Sequence, residues 1–344
     1  MAASNKSKLE FFRIPLNHKD GSDKTFKDFV KEILHAPENI SNEDAFTKLF
    51  EHFMNAPEKD FAKNDKLKKV ITFIDDSSNN IHFNQKPTLN TAECTISGVI
   101  SGGRYSDDSI LADVTNKKVS KKLKRDNTVL KYYFIFLYFP LDYTEGFAMI
   151  HSNNSEDTIT NAFRDYVAEL FHKGDYKKPT VMKFCPKTFQ DEFRNGAVLS
   201  SFNFKTTFLN DIVSNDPIIE ESGDYDVSIT ITPKNKSMDF ANIAGKLMSV
   251  FSKRKFSGEA QTKELSQFDQ THVSVKNQKT NSTKTFEWNT KDNEFLPVVY
   301  LKDRVEMTDD GTPNFDELKK YCSELFKNSI LPEIRPDLYA NYID

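Results

Sequence analysis

Six of the nine residues from Lys117 to Arg125 are basic (Lys117, Lys118, Lys121, Lys122, Lys124 and Arg125), in a chain whose 47 Lys and Arg are outnumbered by 51 Asp and Glu. A cluster of that density stands against the average charge. Its chemistry is the binding of anions, phosphate foremost: lysines and arginines that follow a phosphate backbone release counterions and bind without reading sequence. In a helix, residues 117, 121, 124 and 125 would share one face, with 118, 122 and 125 on an adjoining one. The alternative is a solvated surface segment whose charges aid solubility, and the segment itself leaves both open. Lys253, Arg254 and Lys255 form a second basic group after an amphipathic stretch ending at Phe251. They read as cations complementing a helix C-terminus or as a second phosphate contact. Arg104 follows Ser101-Gly102-Gly103, where a strand-end turn would bring backbone amides and a guanidinium to one anion.

Other residue types form no catalytic pattern. Histidines 18, 35, 52, 82, 151, 172 and 272 show no HxxxH, HExxH or HxH spacing. His151 and Ser152 near Asp157 are triad-like in composition only, since a triad is defined by geometry and roles. Asp75-Asp76 and Asp107-Asp108 are acidic pairs of the kind that solvated turns carry. Asp191 and Glu192 with the neighbouring lysines do not make the acidic-x-Lys element of a metal-dependent nuclease. The phosphate-cradling pattern GxxxxGK[ST] is absent throughout. Cys94, Cys185 and Cys322 are odd in number and far apart, which argues against a disulfide framework or a zinc site and suits small buried hydrophobes in a reducing cytosol. The expectation is a binding protein with no catalytic residue, no metal and no cofactor. The rivals are an interaction subunit that docks to a membrane or protein partner, and a metal-dependent nuclease of unfamiliar geometry.

The 344 residues suffice for two ordinary domains. The apolar fraction, 38%, is low, but 30 Phe and 12 Tyr close a core with fewer and larger side chains. The net charge of −4 gives no overall pull toward nucleic acid, so any such role falls to local clusters. Met1 to Lys8 lacks the apolar centre of a signal peptide, and the longest apolar run, Tyr132 to Leu141, is too short to span a bilayer. A cytoplasmic protein is expected.

These candidate residues must be positioned by the elements around them. Alternation and apolar runs predict strands over Leu9–Leu16, Val70–Ile74, Ile81–Phe83, Thr95–Ile100, Thr180–Phe184, Ala197–Leu209, Tyr225–Thr232 and Phe295–Leu301. Tyr132–Pro140 and Phe147–His151 read as an antiparallel pair, the first apolar on both faces and so central in a sheet. Thr271–Val275 and Thr283–Trp288 read as a hairpin. Helical spacing covers Thr25–Leu34, Asn42–Met54 (capped by Ser41 or Asn42), Ser155–Phe171 (capped near Ser155 and Thr158, ended by Lys173-Gly174), Met238–Phe251 and Phe315–Phe326. Strands cluster with helices rather than alternating with them, which predicts an α+β fold with largely antiparallel or mixed sheets and flanking helices. Gly174 to Pro179 predicts a boundary between an N-terminal region, residues 1–174, and a C-terminal region, residues 175–344.

The order of these segments resembles that of the RexA and KwaB family of phage-exclusion and anti-phage defence proteins. The likeness lies in the opening strand with its Phe-rich helices and in Tyr133-Phe134-Ile135-Phe136-Leu137 leading to Glu145-Gly146-Phe147-Ala148. It extends to the helix over Thr158–Phe171 and to Asp226-Val227-Ser228-Ile229-Thr230-Ile231-Thr232-Pro233-Lys234. It spans most of the chain. It implies sequence-tolerant binding of double-stranded DNA, a homodimer, a role in sensing phage infection, and a small membrane-protein partner that recruits the chain to the inner membrane. No DNA-contacting residue carries over from the family, and the basic residues named above come from charge clustering alone.

Overall fold

The structure is a computed structural model that describes residues 7–73, 82–105, 109–112, 119–152, 158–194, 197–208, 225–234, 253–257, 262–268, 270–277, 283–289, 294–296, 299–302, 304–309 and 311–338. The chain forms two compact units: Met1–Phe184 with Val299–Pro332, and Cys185–Val298 with Glu333–Asp344. In the first unit the elements run β1 (Lys8–Pro15), β2 (Asn17–His18), α1 (Phe26–Ile33), α2 (Asn42–Lys59), β3 (Ala62–Asn64), β4 (Lys69–Phe73), β5 (Thr88–Asn90), β6 (Thr95–Arg104), β7 (Ser109–Ala112), β8 (Val119–Leu123), β9 (Lys131–Tyr138), β10 (Glu145–Ser152), α3 (Thr160–Leu170), β11 (Tyr176–Lys177) and β12 (Met182–Phe184). The second unit contributes α4 (Lys187–Arg194), β13 (Ala197–Phe208), β14 (Tyr225–Ile231), β15 (Lys255–Ser257), β16 (Thr262–Glu264), β17 (Gln270–Asn277), β18 (Thr283–Asn289) and β19 (Glu294–Leu296). The chain then returns to the first unit with β20 (Val299–Tyr300) and α5 (Phe315–Leu325).

The fold is α+β, and every sheet pairing among the described residues is antiparallel. A nine-stranded sheet of order β12-β1-β10-β9-β6-β4-β3, with β20 on β1 and β5 on β6, forms the centre of the first unit. Alternation along β9 sends Tyr133, Ile135 and Leu137 to one face and Phe134, Phe136 and Tyr138 to the other, and all six are buried. The first face packs with Phe26, Phe29, Phe46, Phe53, Phe163 and Val167 from α1, α2 and α3. The second meets Phe326, just past α5, whose ring centroid lies 5.1 Å from that of Phe136 and 4.8 Å from that of Tyr138. The many aromatics fill the volume that a higher aliphatic content fills elsewhere. Phe171 alone lies 5.2 or 5.3 Å from Phe26, Phe29 and Phe139.

Local chemistry sets the helix ends. Thr25 and Asp28 form a reciprocal capping box on α1. Ser41, not Asn42, starts α2: its hydroxyl accepts from the Asp44 amide at 3.0 Å and donates to the Asp44 carboxylate at 2.7 Å. Helix α3 begins at Thr160, later than its apolar spacing suggests, with Ile159 at the cap and no side-chain cap bond. Gly174 follows it at φ 56°, the left-handed conformation that glycine reaches without strain. The division between units falls after Phe184 rather than at Gly174, because β12 pairs with β1. The segment from Val299 rejoins the first unit because β20 pairs with the same strand. One apolar run, Phe295–Leu301, is thus split between two sheets. Ile81–Phe83 is not a strand where described, since Phe83–Gln85 is a 3-10 turn.

The second unit centres on a five-stranded sheet of order β14-β13-β17-β18-β19. It includes the expected hairpin, with Val273 opposite Phe286. Phe202, Phe204, Val273 and Val275 are buried there. The amphipathic stretch Met238–Phe251 lies outside the described residues.

Strand β6 departs most from its sequence reading. Ser101 to Arg104 is not a closing turn but the last part of the strand, with Gly102 opposite both Ile71 of β4 and Lys131 of β9. A Cβ on Gly102 would stand 2.7 Å from the Val70 carbonyl oxygen and 2.8 Å from Ile159 Cγ2; one on Gly103 would stand 2.3 Å from the Val129 carbonyl oxygen. The glycines are there because neighbouring backbone leaves no room, and their amides belong to the ladder rather than to an anion. Gly103→Ala should therefore cost about 1–3 kcal/mol of stability, read as a lower denaturant midpoint at unchanged m.

Candidate nucleic-acid interface

The register of β4, β6 and β9 fixes where three cations sit. Ile71, Phe73, Ile100, Tyr133 and Ile135 all face the helices α1–α3, and side chains alternate along a strand. Lys69, Arg104 and Lys131 share that parity, so they continue the same face at the end of the sheet. Lys69 is directly opposite Arg104, where Cβ atoms lie about 4.5–5.5 Å apart. Lys131 is opposite Gly102 and so diagonal to Arg104, at about 7–8 Å. Lys69 also donates to the Thr158 carbonyl at 2.6 Å, tying the segment before α3 to this end of the sheet.

Two more segments are drawn to the same place. The Tyr105 amide donates to the Lys68 carbonyl at 3.0 Å, and the Lys68 ammonium lies 5.8 Å from the centre of the Tyr105 ring. Lys68 holds φ at 53°, a left-handed conformation that costs a side-chain-bearing residue roughly 1–2 kcal/mol. The Tyr105 hydroxyl donates to Asp65 at 2.6 Å, and this bond pushes its pKa up to about 12. On the other side, Thr128 Oγ1 donates to the Arg104 carbonyl at 2.9 Å. A tight turn, closed by the Asn127 amide to the Lys124 carbonyl at 2.8 Å and the Lys124 amide to Asn127 Oδ1 at 2.9 Å, carries Lys124 and Arg125 at its rim. Residues 65–69, 104–105 and 122–131 hold eight basic and two acidic side chains. Lys66, Lys68, Arg104, Lys122, Lys124 and Arg125 are exposed.

Beside this cluster, β7 and β8 form a separate two-stranded antiparallel ribbon with Ile110 opposite Lys122 and Leu111 opposite Lys121. The helical stripe through residues 117–125 is therefore absent over 119–123, which are extended. Val119 and Leu123 alternate with polar residues at strand period, and a pairing partner lies within reach at Ser109–Ala112. Lys117 and Lys118 lie outside the described residues, as do Asp75, Asp76, Asp107, Asp108 and Asp157.

The same edge of the sheet is polar farther along. Glu10 of β1 accepts from Ser152 at 2.5 Å and from Thr160 at 2.9 Å, with the Lys8 ammonium 3.4 Å away. Burial alone would raise its pKa, but Lys8, the Ser152 and Thr160 hydroxyls and Lys183 outweigh it and hold the carboxyl below its ordinary value. Ser152 is thereby committed to Glu10. His151 Nε2 lies 3.1 Å from the Ser7 hydroxyl, which donates to the Gly311 carbonyl at 3.1 Å, and His151 and Ser7 are both buried. With the Ser7 hydroxyl donating to Gly311, the Ser7–His151 contact fits the tautomer in which Nε2 donates. Among the described residues no group of three His, Cys, Asp or Glu is placed to hold a metal ion.

Of the nominated residues, Arg104, Lys122, Lys124 and Arg125 are brought together, with Lys121 on β8 beside them. Lys253, Arg254 and Lys255 belong to the second unit, exposed where the chain enters β15, with Lys255 opposite Glu264. Sequence reasoning missed Lys66, Lys68, Lys69 and Lys131. Lys66-Leu67-Lys68-Lys69 holds as many basic residues as Lys253–Lys255 and was legible, whereas Lys131 and Glu10 gain meaning only from register. Compared with protein families, curated proteins and solved structures, the chain matches none.

A folded pKa below the unfolded one contributes stability that is present above the unfolded value and lost as pH falls through the folded one. Glu10→Gln should therefore cost about 1–3 kcal/mol near neutral pH. Its deficit against the parent chain should shrink as pH drops below about 4, measured by chemical denaturation at several pH values.

Proposed function

We propose that this chain binds double-stranded DNA, with little sequence preference, through the cationic end of its first unit. The observation that carries this reading is the placement of Lys69, Arg104 and Lys131 on one face of three neighbouring strands, with the exposed Lys122, Lys124 and Arg125 beside them. Three features favour duplex DNA. The major groove of B-DNA admits a two-stranded ribbon such as β7–β8, whereas the deep, narrow groove of duplex RNA does not. The β8 strand of that ribbon carries Lys121 and Lys122, cations suited to phosphate contacts that position a protein on the duplex. Lysines dominate the cluster, and as point charges they tolerate any sequence. Lys253, Arg254 and Lys255 supply a further exposed basic group on the second unit.

The resemblance to the RexA and KwaB family supports placing this binding in phage exclusion, by a homodimer acting with a small membrane protein that recruits it to the inner membrane. Among the described residues no helix is long and apolar enough to cross a membrane. In this reading the chain itself performs no chemistry and needs no cofactor.

Fluorescence anisotropy with a random duplex of about 30 base pairs, repeated across a salt series, tests the DNA reading. Affinity should fall steeply with salt and be indifferent to sequence. Replacing Lys122, Lys124 and Arg125 together by Gln should lower the slope of log K against log salt by roughly 2–3, at about 0.9 for each phosphate no longer neutralised. An unchanged slope removes these residues from the interface. In cells, expression of the parent chain should lower phage plating efficiency and the triple variant should not.

A further inference from the structure

Val129 and Leu130 are 56% and 39% exposed, two adjacent large apolar side chains in the middle of the cationic cluster. We propose that Leu130, backed by Val129, inserts from the minor groove between base pairs of the bound duplex, so that DNA is bent on this protein. This inference rests on the DNA-binding reading above and deepens it.

The two side chains are presented by a braced support. The Val129 carbonyl lies so close to Gly103 that no Cβ fits between them. Thr128 is bonded to the Arg104 carbonyl, and Lys131 enters β9 directly after Leu130. A wedge must be held this way, because unstacking a base step requires that the inserted group not fold back. The surroundings match DNA as well. Lys131 follows the pair directly and Lys124 and Arg125 precede it by a few residues, and basic side chains near an apolar wedge suit the narrow, strongly negative minor groove. A wedge of this kind kinks the duplex toward its major groove by about 20–90°, away from the inserted side chain, and opens the minor groove facing the protein. Insertion also gives a non-specific binder a mild preference for steps that unstack readily, such as TA and CA.

A membrane surface is the competing occupant, since cations around an apolar tip also suit anionic lipid. The observations favour DNA. Two side chains of modest size bury little hydrocarbon, and stable anchoring on a bilayer takes an extended amphipathic face or a second signal. One side chain per base step is all a wedge needs.

The experiment measures energy transfer between dyes at the two ends of a duplex of about 30 base pairs, with anisotropy recorded on the same samples, for the parent chain and Leu130→Ala. Saturation by the parent chain should raise transfer efficiency. Leu130→Ala should bind within about threefold but raise it much less. A central mismatch should tighten the parent chain several-fold and leave Leu130→Ala unaffected. Binding without a change in transfer, or equal bending by Leu130→Ala, overturns the wedge and leaves the DNA reading standing. Absence of binding even at low salt overturns both. Sedimentation of the parent chain with phosphatidylserine vesicles, abolished in Leu130→Ala while duplex bending is unchanged, assigns the pair to lipid instead.

Discussion

Gly102 and Gly103 of β6 have no room for a side chain because the Val70 carbonyl, the Ile159 side chain and the Val129 carbonyl crowd them, and the register of β6 with β4 and β9 sets where the surrounding cations sit. In that register the parity that sends Ile71, Ile100 and Tyr133 to the helix core sends Lys69, Arg104 and Lys131 to its rim. A slip of one residue would turn every one of these side chains to the opposite face. The apolar interior therefore specifies the charged edge: burying the aromatic side chains of β9 correctly and aligning the three cations are one requirement.

Electrostatics at this edge is asymmetric. The carboxylate of Glu10 is half-buried, accepts from two hydroxyls and faces Lys8, so its charge is balanced within the protein. The exposed cations from Lys66 to Arg125 stand nearer solvent, where their summed field reaches an incoming polyanion. A chain of net charge −4 is thereby locally attractive to phosphate while its overall charge repels it.

Much of the fold is legible in the sequence where a single periodicity dominates. Residues 132–140 are apolar on every position and form the central strand, and the stripe from Ile159 to Phe171 forms α3. What escaped has physical causes. Ser101-Gly102-Gly103 has the composition of a turn, and only the approach of the Val70, Ile159 and Val129 atoms shows why a strand needs glycine there. The basic run through Lys122 has no periodicity of its own, so its strand state is decided by pairing with Ser109–Ala112. Phe295–Leu301 is a continuous apolar run divided between two sheets by long-range pairing. The basic segment was visible as composition, but its assembly with Lys68, Lys69 and Lys131 spans about sixty residues of sequence and depends on register, which composition does not encode.

The claim that joins these points is that duplex phosphates rest on the first unit's sheet end. Mass-spectrometric readout of the acetylation rate of each lysine, in the free protein and saturated with random duplex, tests it most directly. Lys68, Lys122 and Lys124 should become less reactive on binding. Lys19 and Lys173, exposed near the opposite end of β1, should keep their reactivity. Protection confined to Lys253 and Lys255, or spread evenly over all exposed lysines, would contradict it.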